Sequence, residues 1–275
     1  MDTSVEIYVM THKEIEEEYD SSLYKPILNG SANVKEHYGY IRDDSGDNIS
    51  KFHKNYGELT SEYWVWKNSK ADVIGFCHYR RWFVKNFKLE KLNKEDILND
   101  LENYDIILPT KFEFDYTLYD HQKKLDITSP DYDATYEDYH KVEDVLKKFF
   151  PEYAKTYHDV MNGKETWLCT IFICKRDLAD EYFQWLFSVC DKLKNEIDLV
   201  KYDTRDSRVF AFIAERLLTA YVVKNNLHVK EYPLIITENG RKYPRLYMLF
   251  SRFPMLKKLE KFLASILNKL KKSYN

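Results

Sequence analysis

Residues 72–81 read Asp-Val-Ile-Gly-Phe-Cys-His-Tyr-Arg-Arg. From Val73 to Cys77 every residue is apolar or glycine, and the run is too short for a buried helix, so it reads as a strand covered on both faces. It delivers His78, Tyr79, Arg80 and Arg81 at its carboxyl end. In an open parallel sheet, ligands bind beyond that end of the strands. The same ten residues therefore point to both the fold and the first candidate site. Adjacent arginines there ask for anions, and guanidinium forks match phosphate oxygens two at a time, so a diphosphate is a natural partner. Local pairing with Asp43, Asp44 or Asp47 is the competing reading.

Outward from this strand, apolar runs alternate with helical patterns. Val5–Met10 reads as a first strand ending in Thr11, His12 and Lys13, and Lys25–Leu28 as a second, closed by Asn29-Gly30. Tyr104–Leu108 is stopped by Pro109, Thr170–Cys174 follows later, and Leu227–Ile236 holds a final strand. Helices are expected over 58–68, 93–101 with Asn93 as its cap, 136–150, 152–161, 177–194 and 207–224. Residues 112–136 are aromatic, acidic and weakly periodic, and read as a loop region on the substrate side. The order predicts an α/β fold with a mostly parallel, Rossmann-like sheet flanked by helices. One domain over 1–240 and a tail over 241–275 complete the expected organisation.

With 275 residues, 44% hydrophobic and 32% charged, the chain can bury a real core. Only seven Gly and seven Pro exclude a collagenous or linker-rich design. Twenty-three Tyr suit a surface that binds sugars or bases, or equally a tyrosine-rich interior. The four Cys show no C-x-x-C spacing, which argues against a zinc site or a disulfide framework. No secretory leader or bilayer-spanning run is visible, and a cytoplasmic protein is expected.

The net charge of −3 hides an asymmetry: residues 241–275 carry +9 and the rest −12. So acidic a body argues against nucleic acid as partner. In the tail, Leu256, Leu259, Leu263, Ile266 and Leu270 make one helical stripe with lysines mostly off it. That pattern predicts an amphipathic helix lying on an anionic membrane through 255–275, or else a terminal helix packed on the body.

No Gly-rich phosphate loop occurs, so any phosphate must be held by side chains. The loop Asp43-Asp44-Ser45-Gly46-Asp47-Asn48 offers hard oxygens for Mg²⁺ or Mn²⁺, or hydrogen bonds for a turn or for sugar hydroxyls. Cys77 and His78 are adjacent on a strand and face opposite ways, which excludes them as a nucleophile–base pair.

Four stretches taken together resemble one bacterial family: Ile7–Lys13, Arg42–Ser50, Glu58–Asn68 and Gly75–Phe83. Tyr104–Pro109, Tyr119-Asp120-His121 and Arg208–Leu218 follow in the same order. The family is the domain of unknown function 4422, found in capsule and lipopolysaccharide gene clusters. Its members look like GT-A-type glycosyltransferases, some of them galactosyl- or galactofuranosyltransferases. The resemblance implies transfer of a hexose from a nucleotide-sugar, a UDP-hexose in particular, to a lipid-linked or polysaccharide acceptor at the inner membrane face. A non-catalytic carbohydrate- or nucleotide-sugar-binding protein is the alternative.

GT-A enzymes usually hold a metal at an Asp-x-Asp, whereas the corresponding strand here ends in His78-Tyr79-Arg80-Arg81. The cations are therefore expected to replace the metal, with Thr11, His12, Lys13, Asp43, Asp44, Asn48 and Arg208 completing the nucleotide-sugar site. Asp120, His121 and Glu58 are the catalytic candidates, while Glu215, seven residues after Arg208, is expected to make a structural ion pair.

Overall fold

The computed structural model describes residues 2–85, 88–128, 134–202 and 207–237. The expected tail and its membrane helix, including 255–275, lie outside the described residues. The strands are β1 (Val5–Thr11), β2 (Tyr24–Leu28), β3 (Ile41–Arg42), β4 (Val73–His78), β5 (Arg81–Phe83), β6 (Ile106–Pro109), β7 (Phe112–Glu113), β8 (Glu165–Thr166), β9 (Ile173–Lys175), β10 (Val229–Tyr232) and β11 (Leu234–Ile236). The helices are α1 (His53–Tyr56), α2 (Leu59–Asn68), α3 (Lys94–Asp100), α4 (Leu118–Thr128), α5 (Tyr136–Phe149), α6 (Pro151–Met161), α7 (Arg176–Leu193) and α8 (Val209–Lys224).

The central sheet runs β10-β6-β9-β4-β1-β2-β3, and β5 links β4 to β11 at one side. β1 pairs in parallel with both β2 and β4, as β6 does with β10. Side chains alternate across this sheet and sort into two cores. Tyr8, Met10, Ile74, Phe76, Ile106 and Leu108 pack among the helices α2 and α5–α8. Val5, Ile7, Val9, Val73, Cys77 and Ile107 face the other way, toward Trp82, Ile97 and Leu101. At Gly75 a Cβ would lie 2.6 Å from Ile173 and 2.7 Å from Ile7, so only glycine lets these strands close up.

The mostly parallel sheet flanked by helices is as expected, with four local corrections. The stretch over 112–136 is not all loop. It pairs β7 with β8 and then forms α4, whose start is capped by an exchange between Thr117 and Asp120. The strand expected over Thr170–Cys174 narrows to β9 and runs antiparallel to β4 and β6. Its first residues are irregular because Cys169 takes a left-handed φ of 65°, which ends any extended run. Leu227–Ile236 holds two strands, split at Pro233, which has no N–H to donate. Arg208 stands outside α8, as its left-handed N-cap, rather than sharing a helix face with Glu215.

Candidate active site

β4 ends beside the end of β1, and Tyr79 N–H bonds Met10 C=O across them at 3.1 Å. The chain then doubles back: His78 and Arg81 face each other as an antiparallel pair, with Tyr79 and Arg80 at the tip. Ile74, Phe76 and His78 share the helix-facing side, so His78 points toward the start of α2 and Cys77 into the opposite core. The Cys77 thiol, fully buried there, is pushed far up by desolvation and is inert.

Arg81 Nη1 lies 3.1 Å from His78 Nδ1. A guanidinium only donates, so Nδ1 accepts and the ring proton sits on Nε2. Burial, against the opposing pull of Glu58, lowers the His78 pKa to about 4, with Arg81, Arg80 and Arg208 adding to the drop. The imidazole is neutral at physiological pH. Its buried Nε2–H has no hydrogen-bond partner and looks toward Glu58 Oε1 across 3.9 Å. Such an unspent donor suits an incoming oxygen.

Arg80 turns away from Arg81. It lies with Lys13, Tyr79, Glu14, Glu16, Glu17 and Thr237 around a cavity of about 190 Å³. Thr237 N–H bonds Arg80 C=O at 3.0 Å, so β11 braces the hairpin. Lys13 Nζ sits 5.0 Å from the Tyr79 ring centre and His12 meets that ring edge-on at 5.2 Å. Thr11 is fully buried and exchanges hydrogen bonds with the Lys13 backbone, so it shapes this corner rather than reaching a ligand.

Glu58 is the N-cap residue of α2, preceded by Gly57 at φ 52°. A Cβ on Gly57 would come 3.1 Å from Arg208 Cγ, so the arginine lies directly against it. Arg208 has φ 47° and is tied down by its N–H to Lys54 C=O at 2.9 Å. Among the described residues, neither Arg81 nor Arg208 pairs with a carboxylate.

Glu215, on α8, has Arg216 Nη1 at 3.3 Å from Oε2 and not Arg208. Burial raises its pKa even though Arg216 pulls it down; the Glu58 charge raises it further, while the Cys169 amide and Arg81 oppose. The ion pair expected of Glu215 is present, with Arg216 as the partner. Behind Glu58, one turn along α2, Glu62 is fully buried with both oxygens unbonded. Desolvation pushes its carboxyl well above the ordinary carboxylate range.

The acidic loop does internal work, a correction to its expected place on the ligand side. Asp43 is fully buried and accepts from Gly30 N–H and Ser31 N–H, each at 2.8 Å, and from Ser50 Oγ at 2.6 Å. Asp44 chelates the Arg42 guanidinium, and Asn48 Nδ2 binds the Gly46 carbonyl at 2.9 Å. Asp47 takes the Tyr63 hydroxyl. Among the described residues no group of three or more His, Cys, Asp or Glu side chains could hold a metal ion. Asp120 is exposed and occupied with capping α4. His121 packs on Phe114 at 4.3 Å, and Arg216 and Lys124, after burial, depress its pKa.

The comparisons with known proteins point one way. A family model described as domain of unknown function (DUF4422) matches residues 6–226. No curated protein sequence matches. Among solved structures the chain is similar to the apo form of the WbbM bifunctional glycosyltransferase, at 29% identity and a TM-score of 0.75. The match covers 86% of this chain and 46% of that one, so this chain spans under half of that protein.

Proposed function

The chain belongs to the DUF4422 family, and on that premise we propose that it is a glycosyltransferase that moves a hexose from a nucleotide-sugar to a glycan acceptor. One observation carries the reading: Arg81, Arg80 and Arg208 all bring their positive charge to bear on a buried, neutral His78 at the carboxyl end of β4. Arg81 and Arg208 grip the diphosphate, while Arg80 lines the neighbouring cavity with Lys13 and Tyr79. The leaving diphosphate gains negative charge in the transition state, and preorganised guanidinium groups stabilise that charge as a metal would.

Lys13, His12 and Tyr79 form the nucleotide side. The Tyr79 ring, flanked by Lys13 and Arg80, gives a base or ribose a flat neighbour. His78 Nε2–H donates to an oxygen of the donor, with Glu58 facing the sugar. UDP-galactose and UDP-galactofuranose are the donors favoured by the family resemblance, and a lipid-linked acceptor fits the basic stripe over 255–275. That stripe gains roughly 1 kcal/mol per basic residue near an anionic surface. Among the described residues no helix is long and apolar enough to cross a membrane.

A thermal-shift screen tests the assignment. A ligand that binds only the native state raises the melting temperature by mass action. UDP and UDP-hexoses should stabilise the wild-type chain and lose that effect in Arg81→Ala. If no nucleotide-sugar moves the melting curve, or the variant responds like the wild type, the reading fails.

A further inference from the structure

A hexosyl transfer leaves one proton to place. In a direct displacement the acceptor oxygen bonds to the anomeric carbon while the bond from that carbon to the diphosphate breaks. The bonding pair leaves with the diphosphate, and the acceptor's hydroxyl proton needs a base within the site. Of the catalytic candidates in the sequence, Asp120 caps α4 and His121 packs on Phe114. That leaves Glu58.

We propose that Glu58 is a catalytic residue, the carboxylate that takes this proton; the role rests on the glycosyltransferase reading above. Contacts tie it to the cations on two sides. Its Oε1 lies 3.9 Å from His78 Nε2, and His78 Nδ1 in turn lies 3.1 Å from Arg81 Nη1. On the other side Gly57 precedes it, and a Cβ there would come 3.1 Å from Arg208 Cγ. The His78 imidazole thus stands between the Arg81 guanidinium and the carboxylate, and holds the leaving-group side and the base apart by one ring.

Glu58 keeps its carboxylate unspent. It occupies the N-cap of α2, where a short polar side chain would ordinarily bond a helix N–H, and its side chain makes no such bond. Among the described residues no lysine or arginine pairs with it, and the positive end of the helix favours a negative charge there. Its side chain is 13% exposed, as is that of His78, so a substrate can reach it while most water is kept away. The wall behind it is polar and equally unspent. Phe76 N–H bonds Phe172 C=O at 2.8 Å, which carries the register of β4 with β9 beyond Gly75 and Ile173 and sets Thr170 beside His78. Thr170 Oγ1, His78 Nε2 and both Glu62 oxygens are buried without partners. Unpaired polar atoms at such depth suit the oxygen of an acceptor or a water. Burial holds the Glu62 carboxyl well above the ordinary carboxylate range, so the inner acid of this helix keeps its proton and does not compete as a base. The proton passes from the acceptor hydroxyl to Glu58 and later to solvent, and the carboxylate is regenerated.

The full chain is tested with UDP-galactose and UDP-galactofuranose, following UDP release with water as the acceptor. Glu58→Gln should lower kcat about 10²–10⁴-fold, the usual worth of a general base. Its affinity for UDP, read by calorimetry, and its melting temperature should stay close to those of wild type. Glu58→Ala should be as slow, and added formate, a small carboxylate that fits the space left, should recover part of its rate without speeding the wild type. An unchanged kcat, a loss that follows lost UDP affinity or lost folding, or a Glu58→Ala variant that formate does not accelerate overturns the role while leaving the transferase reading in place. So does a wild-type chain that binds a donor and releases no UDP. A wild-type chain that binds neither donor and releases no UDP overturns both.

Discussion

His78 shows how one side chain ties the site to the stability of the fold. Its folded pKa, about 4 because of burial, lies below the unfolded value near 6.5. Between those values the unfolded chain binds more protons, so stability falls as pH falls through this window and is fully present above it. The shift corresponds to roughly 3 kcal/mol, lost in full below pH 4. Chemical denaturation at pH 7 and pH 4 should show that loss in the wild type and a smaller one in His78→Gln. At Arg81 the expectation is different. The residue is half-buried and its recorded partner is a histidine nitrogen, so Arg81→Ala should keep the melting temperature within a few degrees. Turnover should fall about 10²–10³-fold, on the scale of losing one transition-state donor. Wild-type turnover in that variant would remove the diphosphate role. Activity in both proteins should withstand a chelator.

At the scale of elements, the sequence showed most where a local rule acts alone. Asn93 caps α3 with a full reciprocal exchange, and Pro151 divides α5 from α6, both as read from the residues. The β4 run and the cluster at its end were equally legible. What stayed hidden depends on contacts between distant segments. α4 is weakly periodic, and its inner face is recognised only through pairs such as Tyr119 OH with Glu143 Oε2 at 2.7 Å. Asp43 looked like a ligand because nothing local shows that Gly30, Ser31 and Ser50 would use its oxygens. The turn before α2 offers a test. Gly57→Ala would force a side chain into φ 52° and against Arg208, costing about 1–3 kcal/mol of stability. Since the clash is with a proposed diphosphate ligand, affinity for UDP should fall as well. A variant that melts lower but binds UDP normally would separate the turn from the site.

Across the whole molecule, charge is divided between an acidic body and a basic C-terminal segment. Composition alone exposed that division, because net charge needs no tertiary information. If the segment holds the enzyme to a membrane, removing residues 255–275 should abolish sedimentation with phosphatidylserine vesicles. UDP release with water as acceptor should remain, since the described sheet and the arginine hairpin lie within residues 5–236. Undiminished sedimentation of the truncated chain would assign the stripe to packing instead.

β11 and the arginine hairpin are joined at Ile236–Arg81 and by the hydrogen bond from Thr237 to Arg80. The described chain therefore ends, at Thr237, beside the proposed donor pocket. The seventeen residues between Thr237 and Met255 span at most about 60 Å when fully extended. If 255–275 docks on a surface, the Thr237–Arg80 hydrogen bond puts that attachment one residue contact away from the mouth of the proposed pocket.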